Sequence, residues 1–226
     1  MKTLGIIGGL GPETTANFYK EVILSCSRKN KKHRPSILIA NVPISFNLEK
    51  NFIKHSQGKR QLLTLLIDAA VSLERGGADF IVIPCNTVHI FIDEVRKAVN
   101  IPVLSIIEET MRFLQEQGVK NVGLLATPST VKNKLFDSKL NAGGIKAEFP
   151  KKEKQELLGG IINKILRNNH GLEDKKELLK IISEFSCDSV LLACTDLHIL
   201  LPGKSNTKIL DTMQILRQAA VRELLG

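Results

Sequence analysis

Two stretches decide how this chain folds: Asp79-Phe-Ile-Val-Ile-Pro-Cys85-Asn-Thr-Val-His89-Ile90 and Asp188-Ser-Val-Leu-Leu-Ala-Cys194-Thr-Asp-Leu-His198-Ile199. Asp, Cys, His and Ile recur in one ungapped register, 109 residues apart, and the positions leading into each Cys are largely apolar. A short apolar run bounded by turn residues reads as a strand buried on both faces, the kind found in parallel sheets. A looser echo pairs Gly5-Ile6-Ile7 with Gly123-Leu124-Leu125. Each half therefore reads as strand, helix, strand, helix, then strand and Cys.

Outward from this doublet, strands are expected at Leu4–Ile7, Ser36–Val42, Phe80–Pro84, Val103–Leu104, Asn121–Ala126, Lys146–Phe149 and Ser189–Ala193. Between them the 3.6-residue period predicts helices at Pro12–Arg28, Lys59–Gly76, Phe91–Val99, Glu108–Gly118, Thr130–Asn141, Gln155–Asn168, Lys175–Phe185 and Thr212–Leu225. Alternation of this kind means α/β architecture. The expectation is two pseudo-symmetric lobes, each with a parallel sheet, and a ligand cleft between them. The first lobe takes 1–102 and is completed by the C-terminal helix, 207–226; the second takes 103–206.

Composition narrows the function. The 226 residues carry a formal net charge of +9, which raises nucleic-acid binding. The densest basic stretch, Arg28-Lys29-Asn30-Lys31-Lys32-His33-Arg34, has no interleaved aromatic residue; the chain has no Trp and one Tyr, so no base-stacking platform is expected. No run of apolar residues is long enough to span a membrane, and no secretory leader is read at the start; a cytoplasmic location is expected. The four cysteines show no C-x-x-C spacing. Cys26 and Cys187 read as small buried hydrophobes.

Cys85 and Cys194 have two readings. Each lies just past a parallel strand's C-terminal end, the edge where open α/β sheets bind ligands. They are either structural cysteines in strand-end turns, or a pair facing across one cleft. In the second case the backbone N–H groups of the turns Asn86-Thr87 and Thr195-Asp196 would favour a thiolate or a bound carboxylate. Two facing thiols suit a two-base reaction: one thiolate takes a proton from carbon, and the other thiol returns one to the opposite face. That inverts a stereocentre with no cofactor. His89 and His198, four residues past each Cys, either raise the thiolate content or pack on the helix that follows.

The pieces Ile7-Gly8-Gly9-Leu10-Gly11-Pro12-Glu13-Thr14, Pro84-Cys85-Asn86-Thr87-Val88-His89, Gly123-Leu-Leu-Ala-Thr127-Pro-Ser-Thr130-Val131 and Ala193-Cys194-Thr195-Asp196 together resemble the aspartate/glutamate racemase superfamily, in particular its cofactor-independent aspartate racemases and broad-specificity amino-acid racemases. The resemblance spans nearly the whole chain. It implies two Rossmann-like lobes, a last helix returning to the first lobe, catalytic Cys85 and Cys194, no PLP, no metal, a small amino-acid substrate (aspartate or glutamate foremost) and a homodimer. By resemblance, the Gly8–Gly11 turn, with Gly9 and Leu10, cradles a carboxylate. Asn86, Thr87 and Thr195 contact the substrate's amino and carboxylate groups, and Thr127 and Thr130 offer hydroxyl donors. The turn is not a nucleotide loop: it lacks G-x-G-x-x-G, and no acidic residue ends the second strand.

Departures matter too. Relatives usually have Gly, Glu and Pro-type residues where this chain has Ala193, Asp196 and His198. Some aspartate-acting relatives place an Arg after the second strand, but Pro43–Asn51 contains none, and Lys50 or Lys164 are the substitutes expected to meet a side-chain carboxylate. Asp196 is expected to change how the amino group or the neighbouring thiol is held. The rival readings are a maleate-type isomerase, a hydantoin racemase, or a binding protein that keeps the cleft without catalysis.

Overall fold

Glycine turns and buried β-branched runs lay out two copies of one plan. The computed structural model describes residues 2–31, 33–201 and 207–226. Lys32 of the basic stretch and the expected end of the second lobe at 206 lie outside the described residues. The first sheet is built from β1 (Thr3–Gly8), β2 (Ser36–Asn41), β3 (Phe80–Val82) and β4 (Val103–Leu104) in the order β2-β1-β3-β4, every pair parallel. Its helices are α1 (Pro12–Lys29), α2 (Phe46–His55), α3 (Lys59–Arg75) and α4 (Ile92–Ala98), followed after β4 by α5 (Ile106–Glu116). The second sheet uses β5 (Asn121–Ala126), β6 (Lys146–Glu148), β7 (Ser189–Ala193) and β8 (Lys208–Asp211) in the order β6-β5-β7-β8, again all parallel. Its helices are α6 (Pro128–Lys132), α7 (Asp137–Ala142), α8 (Lys152–Ile165) and α9 (Leu172–Ser183), and α10 (Thr212–Leu225) ends the chain.

The two strand orders are the same, so the 109-residue doublet corresponds to equivalent central strands, β3 and β7. In each sheet the order reverses between the first strand and its neighbour, and ligands of open α/β sheets bind at that switch point. The C-terminal ends of β1 and β3 carry the glycine turn and Cys85; those of β5 and β7 carry Thr127 and Cys194.

Two boundaries differ from the sequence expectation. Val103–Leu104 pairs with β3 in the first sheet instead of opening the second lobe. Residues 208–211 form a strand in the second sheet, and α10 after it packs on α1, α5 and β1. The reason is shared burial. Leu4, Ile6 and Phe18 of the first lobe, Val122, Leu124 and Leu191 of the second, and Met213, Leu216 and Ala220 of α10 belong to one continuous apolar cluster. Separate clusters cover the outer faces, under α3 in the first lobe and under α8 and α9 in the second.

Candidate active site

The glycine turn comes first because its backbone is the least replaceable. Gly9 has φ +83° and Gly11 φ +94°, the left-handed region where a side chain is strained. A Cβ on Gly9 would also lie 2.8 Å from Val42 O. Pro12 then starts α1 in its first turn. Thr15 closes the turn: Gly9 N–H donates to its hydroxyl at 3.1 Å, and that hydroxyl donates to Gly11 O at 3.0 Å. The carboxylate that meets the turn belongs to the protein itself. Asp196, from the second lobe, lies where a Gly11 Cβ would approach it to 2.8 Å, and Thr14 Oγ1 donates to Asp196 Oδ1. Burial nevertheless raises the Asp196 carboxyl above its ordinary value, against the Thr14 hydroxyl and His198, which lower it.

Cys85 is half-buried and Cys194 is 5% exposed. They lie near enough for the charge of one to act on the ionisation of the other. Burial pushes the Cys85 thiol up to about 12, against the pull of the Val88 and Thr87 N–H groups; Asp196 and Glu49 push it further up. Cys194 is raised well above the ordinary thiol value, first by burial and then by Asp196. The expected thiolate-favouring N–H groups are therefore present but outweighed, because desolvation of an anion costs more than two backbone donors return. Asp196 does hold its neighbouring thiol: Cys194 Sγ–H donates to Asp196 Oδ2 at 3.9 Å.

The histidines resolve to the packing reading. Ile106 N–H donates to His89 Nε2 at 3.1 Å, so the other nitrogen carries the proton and donates to Cys85 O at 2.7 Å. Burial lowers the His89 pKa to about 4, so it stays neutral and cannot promote a thiolate by charge. His198 touches the equivalent carbonyl of its own turn: Nδ1 lies 2.5 Å from Thr195 O and Nε2 lies 3.2 Å from Asn17 Nδ2 of the first lobe. Each histidine braces the backbone of its own cysteine turn.

Polar side chains from both lobes meet beside the thiols. Asn86 is 1% exposed; its Nδ2 donates to Thr212 Oγ1 at 2.9 Å, and no donor among the described residues reaches its Oδ1. A buried acceptor without a partner is costly and therefore informative. Thr87 and the pair Thr127 and Thr130 form a closed ring of hydroxyls at 3.0, 2.9 and 3.2 Å across the lobes. Thr127 also caps α6 by accepting from Thr130 N–H at 3.1 Å. Thr195 and Leu10 are buried in the two strand-end turns.

One expected cation is engaged elsewhere. Lys164 on α8 is exposed and pairs with Asp174 Oδ1 at 2.6 Å, the carboxylate that also accepts from Gly171 N–H at the start of α9. Lys50 is exposed on α2. Sequence reasoning missed Glu49, half-buried on α2 and close enough to act on Asp196 and Cys85. Its signal was weak, because the segment holding it reads as a loop.

Residues 7–220 match the Asp/Glu/hydantoin racemase family. The chain belongs to that family. The broad specificity amino-acid racemase RacX of Bacillus subtilis (strain 168) is 30% identical over 230 residues, covering 99% of this chain and 98% of the relative. An aspartate racemase homologue from Pyrococcus horikoshii OT3 has a solved structure that superposes with a TM-score of 0.81 at 29% identity, covering all of both chains. The aspartate racemase of Picrophilus torridus shares the fold, with a TM-score of 0.83 at 24% identity over 99% of this chain and 94% of the other. The two-lobe plan with paired parallel sheets is thus the racemase-family fold. Among the described residues, no helix is long and apolar enough to cross a membrane.

Proposed function

We propose that the protein is an amino-acid racemase that works without PLP, passing the α-proton between Cys85 and Cys194. The observation that carries this reading is the pair itself: two desolvated cysteines at equivalent strand ends of a duplicated fold, near enough for the charge of one to act on the other. One sulfur, as thiolate, takes the proton from Cα and becomes a thiol. The other thiol gives its proton to the opposite face and becomes the thiolate. Atoms and charge balance, and the reverse reaction exchanges the two roles, which suits a scaffold built from two like halves.

The surrounding groups support the same reading. Asn86 Oδ1, buried and unpartnered, is a ready acceptor for an α-ammonium. The Thr87, Thr127 and Thr130 ring can open so that its O–H groups donate to an α-carboxylate. A bound ammonium also offsets the burial that keeps both thiols protonated. Because Lys164 is committed to Asp174, the reading is carried to α-amino acids as a class, not to aspartate or glutamate in particular.

The test is α-proton exchange of L-amino acids in D₂O, with the enantiomer ratio followed in parallel. Cys85→Ala and Cys194→Ala should each lose racemisation by at least about 10³-fold while keeping the near-ultraviolet circular dichroism of the wild type. Wild-type racemisation by either single variant would overturn the two-base mechanism.

A further inference from the structure

We infer that Thr212, the first residue of α10, is a positioning residue for the reaction: its hydroxyl fixes which end of the Asn86 amide is offered to the substrate, and so makes Asn86 an acceptor for the α-ammonium. This rests on the racemase reading above and adds a residue that acts through another.

Proton counting decides the direction of the contact. A hydroxyl has one proton to give. Thr212 Oγ1 lies 2.9 Å from Leu192 O, and a carbonyl only accepts, so the Thr212 proton is spent there. The other neighbour of that hydroxyl, also at 2.9 Å, is the Asn86 amide. With its proton spent the hydroxyl can only accept, so Asn86 turns its NH₂ toward Thr212 and its Oδ1 away. Both side chains are buried, so bulk water does not compete for either group.

These three groups run between the two cysteine turns. Leu192 lies on β7 two residues before Cys194, and Asn86 directly follows Cys85. Thr212 is held between them because Asp211 caps α10, accepting from Met213 N–H at 2.9 Å, which sets the first turn of the helix. Its branched Cβ restricts χ1 and so the direction of the hydroxyl. Met213, Leu216 and Ala220 then anchor the helix in the apolar cluster shared by both lobes. What remains is Asn86 Oδ1, buried and with no donor among the described residues. An ammonium, with three donors and no acceptor, is its complement, and the hydrogen bond is charge-assisted. An amide turned the other way would aim N–H donors at the same cation.

The experiment follows α-proton exchange in D₂O, well below the melting temperature of each variant, on the proteinogenic L-amino acid that the wild type exchanges fastest. Thr212→Val should lower kcat/KM at least about tenfold. The loss should lie mainly in a higher KM, because the ammonium is held in the ground state and the transition state alike. Thr212→Ser keeps the hydroxyl and should stay within about threefold of the wild type. In an Asn86→Ala background, Thr212→Val should change kcat/KM by less than about twofold, since the residue it acts through is gone. Should Thr212→Val not fold, Thr212→Cys puts a weak acceptor in the same place and should raise KM in the same direction. An unchanged KM in these variants would overturn the inference. So would an equal loss with and without Asn86, or a loss confined to kcat, since Thr212 would then serve only the fold. Racemisation lost in Cys85→Ala and Cys194→Ala but indifferent to Thr212 would leave the racemase reading standing and overturn this one. No exchange on any amino acid would overturn both.

Discussion

His89 shows how far a residue's role depends on its partners. Four residues past a cysteine, it has the spacing of a base for that thiol. Its two nitrogens are instead committed, one to Ile106 N–H and one to Cys85 O. This has a measurable consequence. The folded chain holds His89 near 4, against 6.5 for a free histidine, a gap worth about 3 kcal/mol. Between those pH values the unfolded chain binds the proton and the folded chain does not, so the contribution is intact above 6.5 and is lost as pH falls toward 4. Urea unfolding at pH 7.5 and 4.5 should therefore show the wild type losing about 2 kcal/mol more on acidification than His89→Gln. Equal losses would mean that His89 is not held neutral by burial. Asp196 is the other residue whose place was only half legible. Its proximity to a thiol follows from adjacency to Cys194, but its seat on the turn of the opposite lobe does not.

At the scale of elements, the strongly periodic helices and the apolar strands were readable because each carries its own burial pattern. The exceptions have local causes. The segment expected as one helix over Thr130–Asn141 is two, α6 and α7, because Lys134 takes φ +50° and breaks the ladder between them. Thr127 and Pro128, an N-cap and a first-turn proline, start α6 earlier than expected. Helix α2 was read as a loop. It buries only Phe52, and Phe46 on the same helix is 73% exposed, so its apolar side is left largely uncovered. Its support is tertiary: Phe52 stacks on Phe91 with ring centroids 5.8 Å apart, and Ser56, the C-cap of α2, meets Ser129 of α6 at 2.6 Å. Phe52→Ala should cost about 3–4 kcal/mol, seen as a lower urea midpoint, and should also reduce exchange activity because Phe52 stacks on Phe91 in the segment that follows Cys85. A loss of stability below about 1 kcal/mol would show that α2 is held by its polar contacts alone.

At the scale of the whole molecule, the two lobes are tied by polar links across their seam, three of them buried. Thr14 reaches Asp196, Asn17 reaches His198, Thr87 reaches Thr127, and Asn86 reaches Thr212. The last is the most enclosed. Thr212, fully buried at the start of α10, accepts from Asn86 and donates to Leu192 O at 2.9 Å. Thr212→Val keeps the volume but leaves Asn86 Nδ2 unpaired and takes a donor from Leu192 O, at a cost of about 2 kcal/mol and so about 6 °C in Tm for a chain of this size. Calorimetry measures it directly; an unchanged Tm would show that Asn86 finds another acceptor and that α10 does not hold the cleft through this bond.

The chain by itself determined the α/β class, the duplicated halves, the cysteine pair and the glycine turn. Those features are local: a run of apolar residues, a φ that only glycine takes freely, and a register repeated after 109 residues are all written along the backbone. Tertiary structure alone decided which charges meet in the cleft. Lys164 had the right residue type and turned to Asp174, while Glu49 came near Cys85 on a helix that buries a single residue. The ionisation of the thiols likewise belongs to the fold, since burial outweighs the donors that their local sequence supplies. Desolvation and the pairing of distant charges depend on what surrounds a group in space, and that is set only when the two lobes close on each other.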